Sequence, residues 1–247
     1  MQKNKIIIGL DFDGVIIDHT EAKLKKAREL GYFLKPEQTH CSVMMDFVSR
    51  EDRYVIQQYI YGSVTADAPI MEDALDTIKN LAEKYVLTII SRRTDDFKKY
   101  AIEWLENKSI FDYIPKERTF FASYDEEKNI IAKTNKVSFF VDDRMKYLEI
   151  MPNVPHKIVF DQFNVVNSNG FYHPSPKYPA VCRGNEWRGV MPRSPDFHRD
   201  AGRLRQKATG DESLKTIDTL RSCRGEIHKI KKWQELPAII TELTISG

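Results

Sequence analysis

Two pairs of aspartates follow apolar segments, at positions where carboxylates can hold a metal ion and carry out nucleophilic or acid–base chemistry. Asp11 and Asp13 flank Phe12 at the end of the run KIIIGLDF, and Asp142 and Asp143 follow VSFFV. On an ideal strand the side chains of Asp11 and Asp13 lie on the same side, where their repulsion is costly without a cation. A turn after a strand would explain the first pair alone, because Asp is common in turns. The second pair favours a magnesium site, since Mg²⁺ prefers oxygen ligands.

The pattern around these residues predicts an α/β fold with a Rossmann-like parallel sheet and helices on both faces. Strands are predicted at residues 5–12, 85–91, 119–123, 137–143 and 156–161. Segments with the helical spacing of apolar residues separate the strands, which favours right-handed crossovers. Open α/β sheets bind ligands at the carboxyl ends of their strands. The polar residues predicted to lie there are Asp11, Asp13, Ser91, Asp142 and Asp143.

Three further segments complete the predicted elements. Residues 36–62 are expected to be largely helical, beginning near Pro36, although their periodicity is blurred. After Pro69, apolar residues at i, i+3, i+4 and i+7 predict an amphipathic helix that ends near Ala82. The tail at 226–243 reads as a strand followed by a helix.

Residues 171–225 differ from the rest of the chain. These 55 residues hold five of the eleven prolines, five of the eleven glycines and only six Ile, Leu or Val. They carry eleven Lys and Arg against six Asp and Glu. Sparse apolar surface offsets little ordering entropy, so the segment is predicted to be a mobile, basic, loop-rich insertion. A zinc site among its His and Cys residues is disfavoured, because their spacing matches no common zinc pattern.

Composition limits the classes of protein to which the chain can belong. Its 247 residues allow one large domain with an appendage, and 41% hydrophobic residues suffice for a core. The net charge of +2 indicates neither a nucleic-acid partner nor a membrane partner, and no apolar run approaches the ~20 residues that span a bilayer. Three cysteines without a CxxC pair favour reduced thiols and a cytoplasmic location.

Four motifs, taken in order along the chain, resemble those of the haloacid dehalogenase superfamily of phosphohydrolases. DFDGVIID at 11–18 is similar to the first motif, and Ser91 at the end of VLTIIS is similar to the second. Lys128 suits the third motif and VDDR at 141–144 suits the fourth. The resemblance covers about residues 5–165 and the tail from about 226.

The resemblance implies roles for the acidic residues. Asp11 would attack phosphorus to form an aspartyl-phosphate. Asp13 would protonate the leaving oxygen and then deprotonate the hydrolytic water. Asp11, Asp143 and the carbonyl of Asp13 would hold Mg²⁺ with support from Asp142, and the family pattern favours Asp143 as the direct ligand of the adjacent pair.

Phosphate contacts are implied for a second set of residues. Ser91 would donate a hydrogen bond to the phosphoryl oxygens, and Lys128 would pair with them and orient Asp11. Backbone N–H groups from Phe12 to Val15, including Gly14, and at Arg92 could add donors at the starts of helices.

Three assignments stay open in the sequence. Lys133 competes with Lys128, which is preferred because it opens the helix after the strand at 119–123. The arginines at 92–93 could reach the substrate or pair with the acidic residues at 95–96. Arg144 could pair locally or bind the substrate, and local pairing is preferred.

The resemblance also implies a domain division. The segment between Asp11 and Ser91 is too long for a simple crossover, and in similar proteins a helical cap that selects the substrate fills this space. We place the cap at residues 18–68. The core comprises residues 1–17, 69–170 and 226–247, and the insertion comprises residues 171–225. Possible cap contacts with a substrate are His19, Lys23, Tyr54 and Tyr61.

Together these features predict an Mg²⁺-dependent phosphomonoester hydrolase that acts through an aspartyl-phosphate. A small phosphorylated metabolite, such as a sugar phosphate or a nucleotide, is the expected substrate and partner. A phosphomutase is one alternative, and a non-catalytic binding protein that uses the basic segment 171–225 is another. A dehalogenase is disfavoured, because Asp13 and the second acidic pair indicate metal-dependent phosphoryl chemistry.

Overall fold

A computed structural model describes residues 5–166 and 227–245, together with the backbone of residues 182–183 and 186–187. The predicted insertion at 171–225, its mobility and the disfavoured zinc site within it therefore lie almost wholly outside the described residues. Here only two short strands are described, β6 (Cys182–Arg183) and β7 (Glu186–Trp187), which pair antiparallel with each other.

Six parallel strands form the central sheet: β1 (Ile7–Leu10), β2 (Val86–Arg92), β3 (Thr119–Ala122), β4 (Phe139–Asp142), β5 (His156–Phe160) and β8 (Ile227–Ile230). Their order across the sheet is β3, β2, β1, β4, β5, β8, and every neighbouring pair is parallel. The strand order reverses between β1 and β4, and such a switch point is where open α/β sheets form their ligand crevice. The Rossmann-like sheet predicted from the sequence is confirmed.

Helices cover both faces of this sheet. The helices are α1 (Thr20–Glu29), α2 (Cys41–Met44), α3 (Arg50–Tyr61), α4 (Ala74–Ala82), α5 (Asp95–Asn107), α6 (Glu127–Thr134), α7 (Met145–Glu149) and α8 (Leu236–Ile245). Buried residues of α4, α5 and α8 share one hydrophobic cluster, while those of α6 and α7 share a second. Among residues 5–166 and 227–245, no helix combines the length and the apolar character needed to cross a bilayer.

The segment 36–62 is more broken than the continuous helix expected from the sequence. A 3₁₀ turn at Pro36–Thr39 precedes α2, and α3 begins only at Arg50. Ser49 caps α3, because its hydroxyl accepts the backbone N–H of Asp52 at 3.1 Å. A side-chain cap satisfies an otherwise unpaired N–H at a helix start, so Ser49 separates two helices where one was predicted.

Residues of the predicted cap pack around a hydrophobic cluster of their own. Its buried members are Ala27, Tyr32, Met44, Val48, Ile56 and Ile60. This cluster is separate from the two that flank the sheet. A separate cluster is consistent with a cap that packs as its own unit, and the boundaries 18–68 and the role of the cap in substrate selection stay predictions.

The tail joins the core through Trp233, which lies between β8 and α8. Its side chain is buried, and its indole N–H donates to the carbonyl of Val15 at 2.8 Å. Val15 belongs to the loop that follows β1 and carries the first aspartate pair. The tail therefore anchors the loop on which the first motif lies.

We expect Trp233→Ala to lower the free energy of unfolding by about 3–5 kcal/mol, because it leaves a large cavity. Trp233→Phe should cost about 1–3 kcal/mol, since it leaves the buried Val15 carbonyl without its donor. The matched control Lys232→Ala changes an exposed neighbour and should stay within about 0.5 kcal/mol. Urea denaturation measures all three, and an unchanged midpoint for Trp233→Ala would contradict the anchoring role.

Candidate active site

Three buried carboxylates converge where β1 and β4 end. Oxygen atoms of Asp11, Asp142 and Asp143 lie within 4.8 Å of one another, and all three residues are buried. The sheet register explains the meeting, because Leu10 pairs with Val141 and the backbone N–H of Asp11 donates to the Val141 carbonyl at 2.8 Å. Two neighbouring strands thus deliver their acidic residues to one point.

Lys128 bridges this group of carboxylates. Its ammonium lies 3.1 Å from Oδ2 of Asp11 and 2.8 Å from Oδ2 of Asp142, and its side chain is fully buried. Lys128 lies in the first turn of α6, as predicted, whereas Lys133 on the same helix is exposed. The geometry therefore favours Lys128 over its competitor as the lysine of the site.

The adjacent aspartates of the second pair differ in their contacts. Both oxygens of Asp142 have hydrogen-bond donors, one from Lys128 and one from the backbone N–H of Arg144 at 2.9 Å. Oδ1 of Asp143 is buried and has no hydrogen-bond partner among the described residues. A buried carboxylate oxygen without a donor is costly unless a cation binds it. Asp143 is therefore better suited than Asp142 to be a direct metal ligand, in agreement with the family pattern.

Charge crowding perturbs all three carboxyl groups. Burial raises the pKa of Asp11 to about 7; the ammonium of Lys128 opposes this shift, and the charges of Asp142 and Asp13 add to it. Burial also raises the pKa of Asp142 to about 6 and that of Asp143 to about 6. When ionised, three carboxylates face one ammonium, and a divalent cation would balance them. The all-oxygen donor set and the unpartnered oxygen of Asp143 fit Mg²⁺.

Asp13 has different partners. Its carboxylate accepts two hydrogen bonds from Arg93, at 3.1 Å and 2.6 Å, and Nε2 of His19 lies 3.0 Å from Oδ1. Burial favours a raised pKa for Asp13, but Arg93 and His19 outweigh it and hold the pKa below its usual range. Of the four aspartates predicted to bind metal, Asp13 alone keeps its carboxylate outside the cluster. This placement is compatible with the carbonyl contact expected for it.

Arg93 is the residue that sequence reasoning underestimated. Its side chain is completely buried, and its guanidinium lies 5.0 Å from the ring centre of Phe12 and 4.5 Å from that of Tyr61. Two alternatives were open for Arg93, contact with the substrate and pairing with the acidic residues at 95–96, and its ion-pair partner in the structure is instead Asp13. One signal was present in the sequence: Arg93 follows Ser91 by two residues, the spacing that places side chains on one side of a strand.

The remaining phosphate-contact predictions have mixed outcomes. Ser91 is buried beside the acidic residues, with its hydroxyl 3.3 Å from Oδ2 of Asp13. The side chain of Arg92 is partly exposed and pairs with Asp125 at 3.0 Å, instead of with the acidic residues at 95–96.

Gly14 is also positioned differently from the prediction. Its N–H donates to the Ile17 carbonyl at 3.0 Å, so this group is already bonded within the turn instead of being open to a phosphate. Gly14 has a φ of +81°, and a Cβ there would lie 2.7 Å from Oδ2 of Asp143. Glycine at this position thus leaves room for the Asp143 carboxylate.

A cleft opens above the carboxylate cluster, between the core and the predicted cap. The cap residues His19, Lys23 and Tyr61 line it, together with Arg92 and Arg144 from the core. The fourth predicted cap contact, Tyr54, is 62% exposed and does not line the cleft. Tyr54 lies on the solvent-facing side of α3. The sequence did not reveal this, because the blurred periodicity of the segment does not show which side of the helix packs inward.

In EDTA, we expect Asp143→Asn to raise the melting temperature at pH 8 by a few degrees. The folded-state pKa values of the cluster exceed the usual 3.8, so the folded protein binds more protons than the unfolded chain between about pH 4 and pH 7. Stability from this source is present at low pH and is lost as the pH rises through that window. The Asn side chain has no negative charge at pH 8, so the variant avoids part of this loss of stability. A change of 1 kcal/mol in the free energy of unfolding shifts the melting temperature by about 2–4 °C at this chain size.

The melting advantage of Asp143→Asn should vanish toward pH 4, where the carboxyl group of the wild type is protonated. The exposed control Asp46→Asn should show no such pH dependence. A variant that melts below the wild type by the same margin at every pH would contradict the charge-crowding explanation.

The chain was compared with known proteins. Neither family models nor curated proteins give a match. Among solved structures, a haloacid dehalogenase-like protein of unknown function from Agrobacterium tumefaciens is 14% identical with a TM-score of 0.53, over 98% of this chain and 100% of its own. A haloacid dehalogenase-like hydrolase from Streptococcus pneumoniae is 16% identical with a TM-score of 0.47, over 63% of this chain and 84% of its own. The first of these likenesses shows that the chain has the fold of the haloacid dehalogenase superfamily, as its four motifs predict.

Proposed function

We propose that the protein is an Mg²⁺-dependent phosphohydrolase that cleaves small phosphomonoesters, with Asp11 as the nucleophile. The observation that carries this proposal is the convergence of Asp11, Asp142 and Asp143 at the switch point of the sheet, with Lys128 paired to the first two. Phosphoryl transfer depends mainly on positioning and on charge neutralisation, and this cluster offers both.

The metal would be held by Asp11 and Asp143, with Asp142 in support and with the carbonyl of Asp13 as a further ligand. Bound Mg²⁺ would supply positive charge to the phosphoryl oxygens and offset the crowded carboxylates. Asp142 is already paired with Lys128, whereas Oδ1 of Asp143 has no hydrogen-bond partner among the described residues. Asp142 would therefore fix the lysine, and Asp143 would bind the ion.

Asp11 is positioned to act as the nucleophile. One oxygen accepts the backbone N–H of Phe12 at 2.8 Å, and the other lies 3.1 Å from the ammonium of Lys128. These contacts fix the orientation of the carboxylate. In the first step a bond forms between an Asp11 oxygen and phosphorus while the bond to the leaving oxygen breaks and that oxygen takes the electron pair. Ser91 and Lys128 would steady the phosphoryl oxygens.

Asp13 would serve the second step most directly. Arg93 and His19 keep its pKa low, so the carboxylate is ionised near neutral pH and can take a proton from the water that attacks phosphorus. That attack breaks the bond between Asp11 and phosphorus and releases inorganic phosphate. In the first step the ionised Asp13 has no proton to donate. It can protonate the leaving oxygen only if its contact with Arg93 loosens and it first takes up a proton from solvent, whereas a sufficiently acidic leaving oxygen departs as an anion without that proton.

We expect Asp11→Asn to abolish turnover of a small phosphate ester while the fold stays intact, because the amide keeps the shape and loses the nucleophile. Loss of covalent catalysis should cost several kcal/mol of transition-state stabilisation. Steady-state phosphate release measures kcat, and circular dichroism checks folding. The exposed control Asp76→Asn should keep full activity. Retention of more than about a tenth of the wild-type kcat would refute the assignment.

Activity should require Mg²⁺ or Mn²⁺ and should be inhibited by Ca²⁺. Ca²⁺ favours more ligands and a looser geometry, so it should draw Asp11 away from attack on phosphorus. The test removes metal with EDTA and then adds back each ion while phosphate release is followed. Full activity of the EDTA-treated protein would refute the metal role.

A further inference from the structure

Two cations in the active-site cleft lack a carboxylate partner among the described residues. Lys23 and Arg144 both line the cleft, and neither forms an ion pair with any carboxylate in residues 5–166 or 227–245. The other cations around the site are already paired: Lys128 with Asp11 and Asp142, Arg93 with Asp13, and Arg92 with Asp125. A cation that lines a cleft and forms no ion pair within the protein can bind an anionic ligand.

Arg144 is held in the cleft with unused donors. The contact of its guanidinium with the hydroxyl of Tyr147 is long, at 3.4 Å, and the group lies 5.0 Å from the centre of that ring. Its Nε is buried and has no hydrogen-bond partner among the described residues. The local pairing expected from the sequence thus involves a neutral hydroxyl, and Arg144 forms no ion pair with a carboxylate among the described residues, although the charges of Asp143 and Asp142 act on it from farther away. A buried donor without an acceptor is costly, and a bound anion would satisfy it.

Lys23 approaches the same cleft from the predicted cap. It lies on α1, and its ammonium donates to the backbone carbonyl of Thr39 at 3.2 Å. That bond aims the ammonium and leaves two of its three donors for other acceptors. Thr39 is followed by His40, whose Nε2 lies 3.0 Å from the backbone carbonyl oxygen of Asp143, so this segment of the predicted cap contacts the core.

Both cations lie within electrostatic range of one core carboxylate and one cap histidine. Burial raises the pKa of Asp143, and Arg144, Lys23 and Lys128 oppose that shift. Burial also lowers the pKa of His40 to about 4, and the charges of Lys23 and Arg144 act in the same direction. The two cations therefore act on a common region, one from the cap side and one from the core side.

We propose that Lys23 and Arg144 bind a second anionic group of the substrate, so that the protein prefers phosphomonoesters that also carry a carboxylate or a second phosphate. This inference rests on the proposed phosphohydrolase function and specifies its substrate class. The phosphoryl group to be cleaved would lie over Asp11 and Lys128. The second anion would lie between the predicted cap and the core, where the side chains of Lys23 and Arg144 would donate charge-assisted hydrogen bonds to it.

The experiment compares substrates that differ in one anionic group. One pair is 3-phosphoglycerate and glycerol 3-phosphate, which tests a carboxylate. The other is fructose 1,6-bisphosphate and fructose 6-phosphate, which tests a second phosphate. For each pair, phosphate release with Mg²⁺ gives the ratio of kcat/KM for the more anionic member to that for its partner. We expect at least one ratio of about ten or more in the wild type, since hydrogen bonds to charged groups are the stronger class.

Variants then assign the preference to the two cations. Lys23→Met and Arg144→Gln should each bring that ratio close to one. Lys25→Met on the same helix and Arg28→Gln remove the same charges at exposed positions and should keep the wild-type ratio. The ratio within each variant corrects for any general loss of activity.

Several outcomes would overturn the inference. Ratios near one in the wild type would do so without any variant, and so would a wild-type preference that survives in both Lys23→Met and Arg144→Gln. If the less anionic esters are hydrolysed in a manner that depends on Mg²⁺ and Asp11 while the ratios are near one, the phosphohydrolase function stands and this inference fails. If none of the four esters is hydrolysed, the proposed function fails, and this inference fails with it.

Discussion

Repulsion among three buried carboxylates is the constraint on which the rest of the site depends. Asp11, Asp142 and Asp143 meet because β1 and β4 are neighbours that end at the same edge. Such a group is stable only when cations compensate it, and Lys128 supplies one positive charge from a fully buried position. The remaining negative charge is the physical reason to expect a divalent ion. Burial is the main cause of the raised pKa of all three groups, and the neighbouring carboxylates add to the shift. A site of this kind is unstable without its ligand, as functional sites often are.

The neighbouring residues limit the further charge that adds to this repulsion. Arg93 neutralises Asp13, so the fourth aspartate is a separate pair instead of a fourth member of the cluster. Tyr61 from the predicted cap lies over the Arg93 guanidinium, which links the cap to the residue proposed to handle the proton. Gly14 gives the Asp143 carboxylate its space. Arg93 and Gly14 lie in or beside a motif, whereas Tyr61 comes from the predicted cap, so local sequence and tertiary packing act together.

Much of the fold followed from the sequence, because alternating strands and helices permit few topologies and the motif residues fell at strand ends. Lys128 was found for the same reason, since it opens the helix after β3. The pairing of Arg93 with Asp13 was missed, because its partner is about 80 positions away and depends on how two strands and the cap pack. The start of a new helix at Arg50 was missed, because it depends on one N-cap residue, Ser49, and the helical pattern of the segment is blurred. Charge partners and caps depend on three-dimensional neighbours, whereas strand order depends on patterns spread along the chain.

The central claim is that the Asp11 carboxylate becomes phosphorylated during turnover, and chemical trapping tests it most directly. Protein quenched during turnover of a phosphate ester with Mg²⁺ would be treated with borohydride, which reduces an acyl phosphate to an alcohol, and then digested with trypsin. Fragmentation mass spectrometry of the peptide at 6–23 separates Asp11 from Asp13 and Asp18. The account predicts that Asp11 alone is converted to homoserine, and only when substrate is present. Conversion of another carboxylate, or none during demonstrable turnover, would contradict it.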